Sequence, residues 1–319
     1  MSNREEYPTT LLSLESRFST EDNCRQYLAK LRWPDGFRCP RCGGMKYWPI
    51  RKLLLQCVHC NYQTSVTAGT IFQDTHLPLN VWFRAMWWVT SSPKDGVSAL
   101  GLKRILGCSY KTAWMLLHKL RRTMVNPGNN RLSGKVEVAK TFLSGFEGQH
   151  SQDKALIAIA AKFKGSRIRR IRLKHICDAS SESLLTFIKK SIEQGSMIHT
   201  DGWTGYAGLN AIGYNHKVTG LKRKRESLSD LLPHVHQIVS LLKDWLKGMN
   251  HSAISIENLD YYLDEFVFRY NNRTPRSRGK LFYWLVQQSM LIMPVAFKDI
   301  RQNVHAKRAT HIEPVKNSV

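Results

Sequence analysis

Four cysteines stand in two pairs, Cys39-Pro40-Arg41-Cys42 and Cys57-Val58-His59-Cys60, with fourteen residues between the pairs. A CxxC turn directs two thiolates at one ion, and two such turns complete a tetrahedral Zn²⁺ site. Gly43-Gly44 after the first pair and Asn61 after the second give these turns room to bend back. Four thiolates leave no open coordination position, so the site is expected to serve folding and surface contact rather than reaction chemistry. His59 lies inside the second pair and reads as an exposed residue, not a ligand. Cys24, Cys108 and Cys177 have no partner spacing and read as plain core or surface positions.

The second chemical signal is charge. Lys and Arg number 48 against 24 Asp and Glu, a formal net charge of +24. So large an excess calls for a polyanionic partner, because Lys and Arg gain affinity by releasing the counterions condensed on phosphates. Lys162 to Lys174 holds seven Lys/Arg and no acid, including Arg169, Arg170 and Arg172. Lys217 to Arg225 adds five, including Lys222, Arg223, Lys224 and Arg225. A ribosome-like RNA binder is the bland alternative. No stretch reaches the ~18 consecutive apolar residues of a membrane span, and MSNREEYPTT has no apolar signal core. The expected location is therefore the cytoplasm, on the nucleoid, where cysteines stay reduced or metal-bound.

The elements that must position these groups follow from periodicity. Residues 1–36 read as a helical lead-in, with Ser19-Thr20-Glu21 offering a cap. Residues 37–76 form the cysteine ribbon. Residues 77–126 are helical, and Trp82, Trp87 and Trp88 read as core. Within them, Val97–Gly107 and Ser109–Met124 resemble a helix-turn-helix with Gly107-Cys108-Ser109 as the turn. The second helix carries Lys111, His118, Lys119, Arg121 and Arg122 as a basic face, with Trp114, Leu117 and Leu120 as its buried stripe. After the break at Pro127-Gly128-Asn129-Asn130 the period turns strand-like. KVEVAKTFL, ALIAIAAKF and SRIRRIRLKHI precede a helix capped by Ser180 or Ser181 and ending at Gly195. The strand SMIHT and further helices follow, so residues 133–290 read as an α/β layer and 291–319 as a basic tail.

In order, CPRCGG…CVHC, TAGTIFQDTHLPL, KDGVSALGLKRILG–SYKTAWMLLHKLRR, VEVxxTFLSG, HTDGWTGY and LLKDWLKG…LDEFVFRYNNR resemble the insertion sequence 1595 family of bacterial transposases, from about residue 10 to 290. The resemblance implies a zinc ribbon and a helical DNA-binding segment before a ribonuclease-H-like domain. It also implies Mg²⁺ or Mn²⁺ held by converging acidic groups for cleavage and strand transfer at phosphodiesters. Implied partners are duplex DNA, both terminal inverted repeats and target, bound by a homodimer.

The resemblance places one metal ligand at Asp201 of HTDGWTGY. The first ligand of the family, in its VEVDET pattern, falls on Ala139, with Lys140 where the next acid stands. An alanine methyl cannot ligate a metal. Glu137 shares the strand face but lies ~6–7 Å along it. The third ligand falls on His236, with His234 competing, and Lys243 seven residues on would touch DNA phosphate. The expectation is a transposase fold that binds DNA but is inactive or impaired. An engineered Asp→Ala change, a decayed element and a captured, DNA-binding regulatory copy all accommodate Ala139. A zinc-ribbon transcription or RNA-processing factor would explain the charge and cysteines alone.

Overall fold

The computed structural model describes residues 7–51, 53–91, 96–125, 131–144, 154–219, 231–248, 254, 256–273, 278–295 and 300. They gather into two compact units, one drawn from within 1–92, 99–124 and 275–319, the other from within 93–98 and 125–274.

The first unit is a helical body with a ribbon. Helix α1 (Leu11–Arg17) opens at Thr10 in a capping box with Ser13. Helix α2 (Glu21–Arg32) opens at Thr20, whose hydroxyl accepts the Asn23 N–H, as the Ser19-Thr20-Glu21 run predicts. Three short antiparallel strands follow in the order β1 (Tyr47–Arg51), β2 (Leu54–Cys57), β3 (Gln63–Thr64). Helices α3 (Leu79–Ser91), α4 (Ala99–Leu106) and α5 (Tyr110–Met124) come next. Trp82 and Trp87 are buried on α3, and the Trp82 indole donates to Thr75 Oγ1 at 2.9 Å. Phe83 of α3 sits edge-on to Phe18 at 4.7 Å and to Phe282 at 5.7 Å. Phe282 lies on α9 (Arg278–Leu291), which packs on α2, α3 and α5. This last helix therefore counts with the helical body, although the sequence reading groups it with the α/β layer.

Gly107-Cys108-Ser109 does connect α4 to α5, and Ser109 Oγ accepts the Thr112 N–H at 3.1 Å. The face of α5 differs from the sequence reading. His118 and Arg121 are buried, Arg121 at 2% exposure, while Trp114 is only half-buried. Arg121 lies four residues after Leu117, on the same stripe that α3, α4 and α9 cover. Desolvation, and then the Arg121 guanidinium, hold the His118 imidazole well below its ordinary range. His118 is therefore neutral in the fold, while the unfolded chain takes up a proton near pH 6.5. Stability should be unaffected above that pH and fall as pH drops below it. Melting curves between pH 7.5 and 5 should show this loss, and His118→Gln should flatten it; equal slopes in both proteins would sink the assignment.

The second unit is a five-stranded mixed sheet in the order β6-β5-β4-β7-β8. Strands β4 (Lys135–Leu143), β5 (Ala155–Lys164) and β6 (Arg167–Ile176) form an antiparallel meander, where the sequence reading places three strands. Helix α6 (Ser181–Ser191) is capped by Ser180, whose hydroxyl accepts the Ser183 N–H. It stops at Ser191, four residues before the expected Gly195. Strand β7 (Met197–Thr200) runs parallel to β4, and β8 (Asn215–Val218) parallel to β7. Strand β8 was not expected, because Asn-His-Lys-Val carries no apolar alternation and is mostly exposed.

Alternation along β4 and β5 sorts the two faces. Val136, Val138, Leu156, Ala158 and Ala160 pack with Leu184 and Ile188 of α6. Ala139, Ile157, Ile159 and Ala161 pack with α7 (Pro233–Gly248) and α8 (Leu259–Asn271) through Ile238, Leu242, Leu263 and Phe266. Both faces of β5 are covered, so its sequence is continuously apolar. Edge strand β6 meets the end of α8. Asn271 accepts the Ile171 N–H at 2.8 Å and donates to the Ile171 carbonyl at 3.1 Å. The Arg273 guanidinium donates to the carbonyls of Ile168 and Arg169.

Candidate metal centre and the Asp201 site

The four expected zinc ligands converge. Cys39 and Cys60 Sγ lie 3.6 Å apart, as do Cys42 and Cys57 Sγ, and all four lie within 4.8 Å of one another. Thiolates at ~2.3 Å around a tetrahedral Zn²⁺ stand roughly 3.8 Å apart, so the set fits that ion. Backbone hydrogen bonds shape each turn: Gly43 N–H to Cys39, Cys39 N–H to Gly44, Asn61 N–H to Cys57. A Cβ on Gly44 would lie 3.2 Å from Cys57 Sγ, so a side chain here would press the sulfurs a few tenths of an ångström out of place. Desolvation pushes the Cys39 thiol up, but the backbone amides of Cys42 and Arg41 reverse it and hold the thiol at about 7. The Gly44 amide pulls the Cys42 thiol down, but the Cys60, Cys57 and Cys39 thiols outweigh it and push it up to about 12, so the four thiols share protons that a metal would displace. Phe37, Cys39 and Cys57 are the buried centre of the ribbon, flanked by Trp33 and Leu55, and His59 is exposed as expected.

In the second unit, Asp201 follows the last residue of β7. The β4–β7 register pairs Val136 with Ile198 and, last, Glu137 with His199; Ala139 and Asp201 each lie two residues past that last pair. Ala139 is 2% exposed and belongs to the apolar cluster under α7. The oxygens of Asp201 are engaged within the chain. Oδ1 accepts the Trp203 N–H at 3.1 Å, and Oδ2 lies 3.8 Å from Lys140 Nζ. The same ammonium sits 4.0 Å from the centre of the Trp203 ring. That ring is fixed by donating from its indole N–H to the Ala179 carbonyl at 3.0 Å. A Cβ on Gly205 would come within 2.9 Å of the ring, so the glycine of WTGY makes room for it. Burial, and then the Asp201 carboxylate, push the Tyr206 hydroxyl above its usual range.

Helix α7 brings neither histidine to Asp201. His236 and Lys243 are exposed on its outer face, and no hydrogen bond or ion pair joins them to Asp201 among the described residues. His234 is turned to Glu137: its Nδ1 lies 2.6 Å from Glu137 Oε1, and its ring stacks on Phe163 at 4.3 Å. Glu137 Oε2 accepts the Val235 N–H at 2.9 Å in the first turn of α7, which opens at Pro233. Sequence reasoning missed this latch. Its one local signal is an acid inside an apolar strand run, on the Ala139 face. Among the described residues, the four cysteines are the one group of three or more His, Cys, Asp or Glu side chains gathered for a metal.

Two family models match the chain. The transposase zinc-ribbon domain matches residues 19–63, and the ISXO2-like transposase domain of the same IS1595 family matches residues 131–271. Residues 19–63 and 131–271 are thus similar to the two domains of IS1595-family transposases. A protein named as uncharacterized in transposable element ISH50 of Halobacterium salinarum is 24% identical over 279 residues, 79% of this chain and 91% of that protein. Among solved structures, a simian T-cell lymphotropic virus intasome in complex with PP2A regulatory subunit B56 gamma contains a chain 13% identical, with a TM-score of 0.32, covering 58% of this chain and 70% of its own. A chain of a pre-cleavage Mos1 transpososome is 11% identical, with a TM-score of 0.26, over 66% of this chain and 75% of its own.

Around these transposase domains the expected DNA-contacting residues divide. Lys111 and Arg169 are exposed, and Lys119, Arg122, Arg170 and Arg172 half-buried. Burial pushes the Lys119 ammonium down, against the opposing pull of Asp74. Burial and then Arg170 push the Arg172 guanidinium down to about 10, with Asp264 opposing. Arg121 leaves the set because its burial takes it from any surface that DNA could reach. Lys222, Arg223, Lys224 and Arg225 lie outside the described residues. No helix among the described residues is long and apolar enough to cross a membrane.

Proposed function

We propose that this chain is a DNA-binding transposition protein whose cleavage and strand-transfer site is silenced at its first metal position. The observation that carries the reading is the packing of Ala139: its methyl is buried under α7, and it lies two residues past the last β4–β7 pair, as Asp201 does on its own strand. Mg²⁺ demands several hard oxygens in near-octahedral array. The described residues bring one carboxylate, Asp201, to that place, with both oxygens already engaged. The residues present therefore do not fit a catalytic Mg²⁺ or Mn²⁺ pair, and no reaction step is derived through one. Zinc is structural, at Cys39, Cys42, Cys57 and Cys60.

The DNA partner is duplex carrying the terminal inverted repeats of an element. The fold that the two domains imply, a ribonuclease-H-like layer behind a zinc ribbon and the α4–α5 pair, offers DNA the basic groups Lys111, Lys119, Arg122, Arg169, Arg170 and Arg172. Two copies would hold two ends. His236 and Lys243 share the outer face of α7 and would meet phosphate there. A captured copy that keeps DNA binding for a regulatory task is supported by one observation: the zinc ligands and both apolar clusters are intact while the first carboxylate is gone.

The test is cleavage and strand joining on DNA with the element's own ends, with Mg²⁺ and with Mn²⁺. The chain is expected to bind these ends in a salt-dependent way and to cut none. Restoring the family pattern with Ala139→Asp and Lys140→Glu together is expected to bring cutting back. Cleavage by the unaltered chain would overturn the reading and point to Glu137. Tight binding confined to other sequences would favour the regulatory copy.

A further inference from the structure

We propose that Lys140 is the resident cation of the Asp201 site, so that this chain presents a metal-free, charge-neutralised site to DNA. Ala139 and Lys140 alternate on β4. The methyl of Ala139 goes into the cluster under α7, and the Lys140 side chain emerges on the opposite face, where it pairs with Ala158 of the α6 side. From there its ammonium reaches Asp201 Oδ2 at 3.8 Å and the Trp203 ring at 4.0 Å. Both side chains are largely withdrawn from water, at 16% and 13% exposure.

Three features make this a built cation site. The Trp203 ring offers its negative face to the ammonium, and it is held in place by the Ala179 carbonyl. The Trp203 backbone N–H fixes the other carboxylate oxygen, so Asp201 presents Oδ2 in one direction. An ammonium satisfies one carboxylate with a single charge and three donors. A divalent ion at the same place needs further oxygens that Ala139 cannot supply, and meets the repulsion of Lys140. The consequence is sharp: Ala139→Asp alone does not recreate a metal site while Lys140 remains.

The inference rests on the transposition reading only for its DNA part, and one experiment separates the two. The zinc-loaded full chain, Lys140→Gln, Ala139→Asp and the double variant Ala139→Asp with Lys140→Gln are melted with and without Mn²⁺ at matched ionic strength. The double variant, which adds a second carboxylate and removes the ammonium, is expected to gain several degrees with Mn²⁺. Lys140→Gln alone is expected to melt below the chain, because Asp201 loses its partner. The chain, Lys140→Gln and Ala139→Asp are expected to show no Mn²⁺ shift. An equal shift in Ala139→Asp, or unchanged melting in Lys140→Gln, overturns the resident-cation assignment. In parallel, end-DNA affinity of the chain is expected not to change with Mg²⁺ at matched ionic strength, and Lys140→Gln is expected to weaken it several-fold, because the uncovered Asp201 charge repels phosphate. If the melting results hold while no variant or the chain binds end DNA, the transposition reading fails and the cation site stands.

Discussion

Removing zinc should unfold the ribbon and leave the sheet unit standing. The ribbon has three buried residues at its centre, Phe37, Cys39 and Cys57, and two of them are ligands. Its three strands span two to five residues each, too little to bury the surface that ordering them requires. Apparent zinc binding energies in comparable small folds are about 10–16 kcal/mol, and that energy is folding energy. A chelator should therefore expose four reactive thiols and Cys57→Ser three, and either should open residues 38–62 to protease. The sheet unit has its own two apolar clusters and should keep its melting transition. Retained protease resistance in the ribbon after complete zinc loss would refute a structural metal.

Glu137→Ala should cost the sheet unit roughly 3–5 kcal/mol, because each buried group left without its hydrogen-bond partner costs about 1–3 kcal/mol and a void is added. Glu137 is 4% exposed and satisfies two groups at once, the His234 imidazole and the Val235 N–H. Its charge lies at the positive end of α7, which adds to the gain. The alanine variant leaves the imidazole and the helix N–H without that acceptor, and leaves a void between β4 and α7. For a unit of this size the loss corresponds to a fall in Tm of about 6–20 °C. A fall of under 2 °C would mean that the latch holds nothing. Glu137→Gln keeps the shape and one acceptor, and should fall between the two.

What could be read in the sequence was local. The CxxC pairs, the caps at Thr20 and Ser180, and strands β4 to β6 all declare themselves within a dozen residues. The Arg121 reading failed for a related reason. Its spacing from Leu117 and Leu120 already put it on the buried stripe, and its charge was given more weight than its period. The latch of Glu137 with His234 and the pair of Lys140 with Asp201 join residues 97 and 61 positions apart. No spacing rule spans such a gap, because the register of β4 against β7 and the docking of α7 create both. Asp201 and Ala139 are placed by the resemblance, and the parallel register shows each two residues past its last β4–β7 pair.

The end of α8 has a consequence for assembly. A free outer strand such as β6 is a template on which another chain can lengthen the sheet. Here Asn271 imitates a neighbouring strand at Ile171, and Arg273 occupies the carbonyls of Ile168 and Arg169. The polypeptide has supplied its own stopper from side chains a hundred residues away. These contacts keep a second copy from pairing with the border at Ile168, Arg169 and Ile171. Asn271→Ala with Arg273→Ala should uncap it, turning a solitary sheet into an aggregation seed.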